Sequence, residues 1–157
     1  MPARDDFPMT ELVSAQRDGY TISNDPARLD VNAIHAYLTR SYWAAGIPRA
    51  TVAQSLAHSA GYGLFAPDGA QVGFTRVITD WTTFAYLCDV YVLEAHRGRG
   101  LGVWLMETVL ADRGLQGLRR LALTTRDAHG LYEKSGFTRT EFGRFMDKTI
   151  PDVYQGR

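Results

Sequence analysis

From Leu29 to Tyr42 the apolar residues fall at Leu29, Ala33, Ile34, Tyr37 and Leu38. That spacing puts one stripe on a helix, and Asp25 or Asp30 is placed to cap its start. Gly46-Ile47-Pro48 interrupts the pattern, and Pro48 suits the first turn of a second helix reaching about Ser59. Beyond Gly61 the period shortens. Residues 62–66 and 70–78 flank Pro67-Asp68-Gly69, which predicts a hairpin. A turn at Asp80-Trp81-Thr82 leads into 84–93, apolar at nearly every position, the pattern of a strand buried on both faces. An apolar helix is predicted over Leu101–Ala111, a buried strand over Leu118–Thr124, and a short helix over Ala128–Ser135 that Gly136 stops. Phe137–Thr140 is a last strand candidate, and Tyr20–Ser23 a first one ended by Asn24-Asp25-Pro26. Residues 1–18 show little periodicity and read as a flexible N-terminal arm, although Met9, Leu12 and Val13 could dock as a short turn. The order β-α-α-β-β-β-α-β-α-β describes one mixed α/β domain over residues 19–157.

Composition narrows the class. The chain has 157 residues, 45% of them hydrophobic, enough to bury a core and to exclude wholesale disorder. Seventeen basic side chains balance seventeen acidic ones, so no global field draws in nucleic acid or anionic lipid. Cys88 is the single cysteine, which excludes an intramolecular disulfide framework and multi-cysteine metal sites; no histidine pair has ligand spacing, so no metal is expected. No apolar run approaches the ~20 residues of a membrane span, and no signal-peptide core opens the chain. A cytoplasmic protein without a membrane or nucleic-acid partner is the expectation.

The segment Arg97-Gly98-Arg99-Gly100-Leu101-Gly102 lies between a predicted buried strand and an apolar helix. Strand, glycine turn and helix make a phosphate-binding geometry. The first N–H groups of a helix lack internal partners, the macrodipole is positive there, and glycines let a bulky anion come close. Arg97 and Arg99 add cationic side chains. The plain alternative is a tight connection whose glycines serve only the turn. A P-loop is excluded because no Gly-Lys-Ser/Thr occurs. A dinucleotide fingerprint fails because Val103 stands where its third glycine belongs.

Arg97, Gly100 and Gly102 match Arg/Gln-x-x-Gly-x-Gly/Ala. Here the sequence resembles the GNAT superfamily of acetyl-CoA-dependent N-acetyltransferases. Downstream, Asp127-Ala128-His129-Gly130-Leu131-Tyr132-Glu133-Lys134-Ser135-Gly136-Phe137 is similar to that family's Asn-Ala-x-x-x-Tyr-x-x-x-Gly-Phe segment. The approach Val92-Leu93-Glu94-Ala95-His96-Arg97 resembles its Val-x-Pro-x-x-Arg, with Glu94 in place of proline and Asp127 in place of asparagine. The resemblance implies a GNAT-like fold, a mixed central β-sheet flanked by helices. It also implies acetyl-CoA as cosubstrate and transfer of acetyl to a primary amine of a small molecule. A protein amino group as acceptor, or a non-catalytic acyl-CoA-binding module, remain the alternatives.

The resemblance also assigns positions. Arg97, Gly98, Arg99, Gly100, Leu101 and Gly102 would hold the diphosphate, and main-chain groups of Val90, Tyr91 and Val92 the pantetheine and thioester, with Asp127 beside them. Tyr132 matches the tyrosine that faces the CoA sulfur. Asp89 interrupts an apolar strand and is the first candidate base; its alternative is a bond to a neighbouring strand or to Arg76. Glu94 and His96 could act through water. Tyr42, Trp43, Trp81 and Phe84, with Tyr37, are candidates for the acceptor wall, where Asp80, Asp89 and Glu94 could add acidity. Exposed strand edges leave a homodimer open.

Overall fold

A computed structural model of the chain describes residues 11–155. Six strands lie side by side in sequence order: β1 (Ser14–Arg17), β2 (Tyr20–Ser23), β3 (Ala60–Phe65), β4 (Gln71–Thr79), β5 (Phe84–Val92) and β6 (Arg120–Leu123). Neighbours are antiparallel as far as β5, while β6 runs parallel to β5. A parallel pair needs a crossover, and α3 (Leu101–Leu110) supplies it. The other helices are α1 (Val31–Leu38), α2 (Arg49–Ala57) and α4 (His129–Glu133).

Asp30 starts α1 by accepting from the N–H groups of Asn32 and Ala33 at 2.9 and 3.0 Å. The helix ends earlier than the apolar spacing predicts. Arg40 and Ser41 donate to Tyr37 and Leu38 in tighter three-residue turns. The Ser41 hydroxyl donates to Leu38 O at 2.7 Å and accepts from Ala44 N at 3.2 Å. This turn lifts Tyr42 and Trp43 off the helix, 54% and 41% exposed.

Two sequence expectations need correction at the chain ends. Ser14–Arg17, placed in a loose arm, forms edge strand β1 against β2. The hairpin turns at Asp18 and Gly19, both with positive φ, and Val13 N donates to Asn24 Oδ1 at 2.8 Å. The strand Ser-Ala-Gln-Arg buries no face fully, so it carries no alternating signal. Residues 1–10 of the expected arm, Met9 included, lie outside the described residues. Phe137–Thr140 is not a strand. The Phe137 N–H turns back to Tyr132 O at 3.2 Å and its ring meets Tyr132 edge-on, so the segment closes α4.

The sheet carries apolar residues on both faces. Trp104, Leu105, Met106 and Val109 of α3 pack with Tyr62, Leu64, Val77 and Leu87 on one side. Ile34 and Leu38 of α1 and Val52 of α2 pack with Phe74 and Tyr91 on the other. Each such side chain contributes roughly 1.5–3 kcal/mol by leaving water. The apolar run predicts burial of β5 on both faces throughout, but several of its residues are half-buried. β6 pairs with it only from Phe84↔Arg120 to Leu87↔Leu123, and beyond that β5 has no neighbour on this edge among the described residues.

Under α3, the Tyr62 hydroxyl donates to Asp112 Oδ2 at 2.6 Å, while Asp112 Oδ1 accepts from Gly114 N at 2.8 Å. Asp112 is 4% exposed, so an oxygen stripped of its donor would find little water. Tyr62→Phe is expected to cost about 1–3 kcal/mol of unfolding free energy, read by urea titration.

Candidate active site

Asp89 sits in the left-handed region at φ 56, where the register between β4 and β5 shifts by one residue. Two residues of β5 then face one of β4, a bulge that bends the strand and re-aims the residues beyond it. Its carboxylate holds the bend. Oδ2 accepts from Arg76 Nε at 2.7 Å and Oδ1 from Trp43 Nε1 at 3.1 Å, with side chains of the ion pair 17% and 9% exposed. Of the two roles open for Asp89 in the sequence, the bond to Arg76 is the one its contacts display. A proton taken up by this carboxylate would cancel the charge that faces Arg76.

Past the bulge, Leu93 N–H donates to Val72 O at 2.8 Å, toward β4. Successive N–H groups of a strand alternate edges, so those of Val90 and Val92 face the gap opposite β4, while that of Tyr91 faces β4. Without the extra residue the alternation would be reversed. The gap between β5 and the chain leaving β6 therefore opens beside two inward-facing donors.

At the gap's α3 mouth, Gly98 and Gly100 have φ 77 and 72, and no atom lies within 4 Å of where a Cβ on Gly98 would stand. Gly100 is the N-cap of α3 and supplies no side chain to its free N–H groups. An open turn, an uncapped helix start and the cation of Arg99 nearby fit an anionic diphosphate. Arg97 departs from the simple picture of a phosphate clamp. Its Nε donates to Val92 O at 2.9 Å and its Nη2 to the Tyr37 hydroxyl at 3.4 Å, so the side chain braces β5 against α1.

Arg17 is a site neighbour that sequence reasoning missed. From β1 its Nη2 donates to the carbonyls of Arg99 and Gly100 at 3.3 and 3.1 Å, and its guanidinium lies 4.9 Å from the centre of the Trp104 ring. A cation in a segment without periodicity gave no signal; recognition of the first hairpin would have supplied one.

Tyr132 comes from the other wall. It is 8% exposed, and burial, with Tyr42 and Asp127 nearby, pushes its hydroxyl up to about 12. Arg126, in the segment after β6, stacks on the Tyr42 ring at 3.9 Å and bridges the α1–α2 turn to the far side of the gap. Tyr42 meets Trp43 edge-on at 5.0 Å, and Tyr37 stacks on Tyr91 at 3.9 Å. Asp127 is exposed and lies 3.5 Å from Arg126.

Trp81 and Phe84 are not brought to this cluster. Both lie at the closed end of β5, and the five-residue rise from Phe84 to Asp89 is about 17 Å in a strand. Trp81 moreover packs against the α3-side core, while Trp43 lies on the α1 side. The expected acidic wall also dissolves. Asp80 is engaged by the Thr83 hydroxyl and by backbone N–H groups of Thr83, Thr82 and Phe84, which hold its carboxyl below the usual range. Asp89 is paired. Glu94 alone of the three keeps a side chain without a partner among the described residues. His96 Nδ1 lies 2.9 Å from the Tyr20 hydroxyl. Among the described residues no group of three His, Cys, Asp or Glu is placed to hold a metal, and no helix is long and apolar enough to cross a membrane.

Residues 59–139 match the family described as the acetyltransferase (GNAT) domain. A candidate acetyltransferase of Gibberella zeae is 36% identical over 141 residues, covering 76% of this chain and 78% of that protein. The crystal structure of a candidate GNAT-family acetyltransferase from Xanthomonas campestris is 47% identical and superposes with a TM-score of 0.82, covering 87% of this chain and 96% of that one. A GNAT family acetyltransferase from Elizabethkingia anophelis, solved with acetyl-CoA bound, shares the fold at 18% identity and a TM-score of 0.61, covering 80% of each chain. The chain belongs to the GNAT acetyltransferase family. Its general activity is accordingly acetyl-CoA-dependent acetyl transfer.

The bulge generates a stability prediction. Asp89→Asn keeps an acceptor for Trp43 and removes the charge facing Arg76. An unfolding free energy lower by about 3 kcal/mol is expected by urea titration, because the remaining guanidinium stays half-buried without its partner.

Proposed function

We propose that the protein transfers acetyl from acetyl-CoA to a primary amine of a small-molecule acceptor. The observation that carries this reading is the unpaired half of β5. It borders a gap with an uncapped helix start at one mouth and an aromatic-lined opening at the other. Acetyl-CoA supplies an activated thioester; the chain supplies anchoring, polarisation and a donor for the leaving sulfur.

The free N–H groups at the start of α3, together with Gly98, Arg99 and Gly100, hold the diphosphate. Arg97 contributes its backbone to that turn and its side chain to the α1 side. Arg17 fixes the carbonyl side of the same turn, leaving its N–H groups outward. Val90 and Val92 aim two N–H donors at the thioester carbonyl, where negative charge grows as the amine attacks; donors fixed beforehand need no reorganisation during the step. Asp127 lies beside this channel.

Tyr132 donates from its hydroxyl to the departing sulfur. A thiol has a reference pKa of ~8.5, well below the value near 12 of the buried tyrosine, so complete proton transfer is uphill and a hydrogen bond is the economical role. The phenol stays protonated across the working range and fails only as pH climbs toward 12. An alkaline fall in turnover centred near pH 9 would therefore belong to another group. Asp89 acts here as the anchor of the bulge. Tyr42 and Trp43, backed by Tyr37, form the acceptor wall, and the Arg126 guanidinium stacked on Tyr42 spans the opening, which favours a small molecule over a polypeptide laid in a groove. A cytoplasmic location belongs to the same reading.

Two measurements test the reading. Calorimetric titration should show acetyl-CoA binding with micromolar affinity, abolished by Gly100→Glu and weakened several-fold by Arg17→Ala; a wild type that does not bind removes the reading. Tyr132→Phe should lower kcat by at least roughly tenfold with little change in the KM for acetyl-CoA. Equal turnover would remove the tyrosine's role, and binding without turnover on any amine would favour the acyl-CoA-binding module.

A further inference from the structure

Between α1 and the turn after β5 lies a cleft of about 210 Å³, lined by Tyr37, Arg40, Ser41, Glu94 and Arg97. It adjoins the gap, because the Arg97 guanidinium on its wall is bonded to the carbonyl of Val92. Its walls hold uncommitted charge of both signs. Arg40 uses Nε on Ala36 O at 3.2 Å and lies over the Tyr37 ring, and its terminal nitrogens have no hydrogen-bond partner among the described residues. Among the described residues Arg97 Nη1 and the Glu94 side chain have no partner.

From this arrangement we infer that the acceptor is an amine carrying an anionic group. Its carboxylate or phosphate docks on Arg40 and Arg97, and its ammonium lies toward Glu94 before deprotonation. The inference rests on the transferase reading above and specifies its substrate class.

Three physical points favour it. Guanidinium groups offer paired donors matched to carboxylate and phosphate oxygens, and those charge-assisted bonds are the stronger kind. Two cations against one carboxylate leave the cleft net positive, so a polyamine would bring like charges together. Glu94, which lines the same cleft, gives the ammonium a carboxylate to face while the anionic group takes the arginines. The buried Tyr91 hydroxyl, without a hydrogen-bond partner among the described residues behind the stacked Tyr37 ring, adds no negative charge to this wall. Burial, with Tyr37 and Asp30 nearby, raises its pKa well above the ordinary value.

The test is thiol release from acetyl-CoA with four acceptor classes: α-amino acids, aminoalkyl or amino-sugar phosphates, polyamines, and monoamines without an anionic group. At least one anionic class should exceed both others in kcat/KM by roughly tenfold or more, and the comparison of carboxylates with phosphates identifies the anion. Arg40→Gln should raise the KM for that acceptor by roughly ten- to a hundredfold and leave kcat and the KM for acetyl-CoA near wild type. Arg40→Lys should recover part of the loss. Polyamines or simple monoamines used equally well overturn the inference, as does an Arg40→Gln variant that alters every class alike. So does a protein that binds acetyl-CoA yet acetylates nothing in the panel. Failure to bind acetyl-CoA instead strikes the transferase reading. Thermal-shift titration with the same amines then still scores the cleft, where no preference for anionic amines overturns the inference.

Discussion

The bond between Arg76 and Asp89 fixes the point at which the sheet stops being a sheet. Asp89 is a non-glycine residue held at positive φ, a conformation that costs roughly 1–2 kcal/mol when nothing repays it. The guanidinium at 2.7 Å and the Trp43 indole supply that compensation. With the kink in place, β5 bends away from the course of β6, pairing ends at Leu87 and Leu123, and the N–H groups of Val90 and Val92 change edge. One ion pair thus converts a continuous ladder into a slot with donors along one side.

The two faces of the sheet divide the work around that slot. On one, α3 presents its bare N-terminus while its apolar side anchors the helix through Trp104, Leu105, Met106 and Val109. On the other, α1 and the turn after it present aromatics and arginines, held by Ile34, Leu38 and Phe74 beneath them. In the proposed transfer, donor and acceptor of the acyl group approach from opposite sides without competing for space. Trp43 links the halves, since the indole that helps wall the opening also bonds the carboxylate that bends the strand.

Much of this was legible in the sequence where local chemistry and function coincide. The glycine turn, the apolar run of α3 and the segment around Tyr132 need particular residues at fixed spacing, and they stand out. The Pro67–Gly69 hairpin was equally plain. The features that escaped depend on partners distant in the chain. β1 is polar because it is an edge with no buried face, and Arg17 matters only once that edge lies beside Arg99 and Gly100. The resemblance put Trp81 and Phe84, in or beside a turn, among the acceptor aromatics, but that turn lies at the far end of an extended strand. Asp80, Asp89 and Glu94 shared one expected acidic wall until hydrogen bonding separated them. The last predicted strand failed because Phe137 had a nearer use in closing α4.

The contact from Arg17 to the glycine turn has a consequence for how the chain breathes. An edge strand of four residues is the first part of a sheet to fray, and amide exchange there ordinarily reports only its own weak pairing. Here the fraying of β1 withdraws a cation from the carbonyls of Arg99 and Gly100, so the strand and the turn loosen together. Linkage is reciprocal: whatever steadies the turn slows exchange at Ser14–Arg17, and whatever peels the strand away slackens the turn. The opening residues of the domain thereby act as a tether on a site more than eighty positions further along the chain.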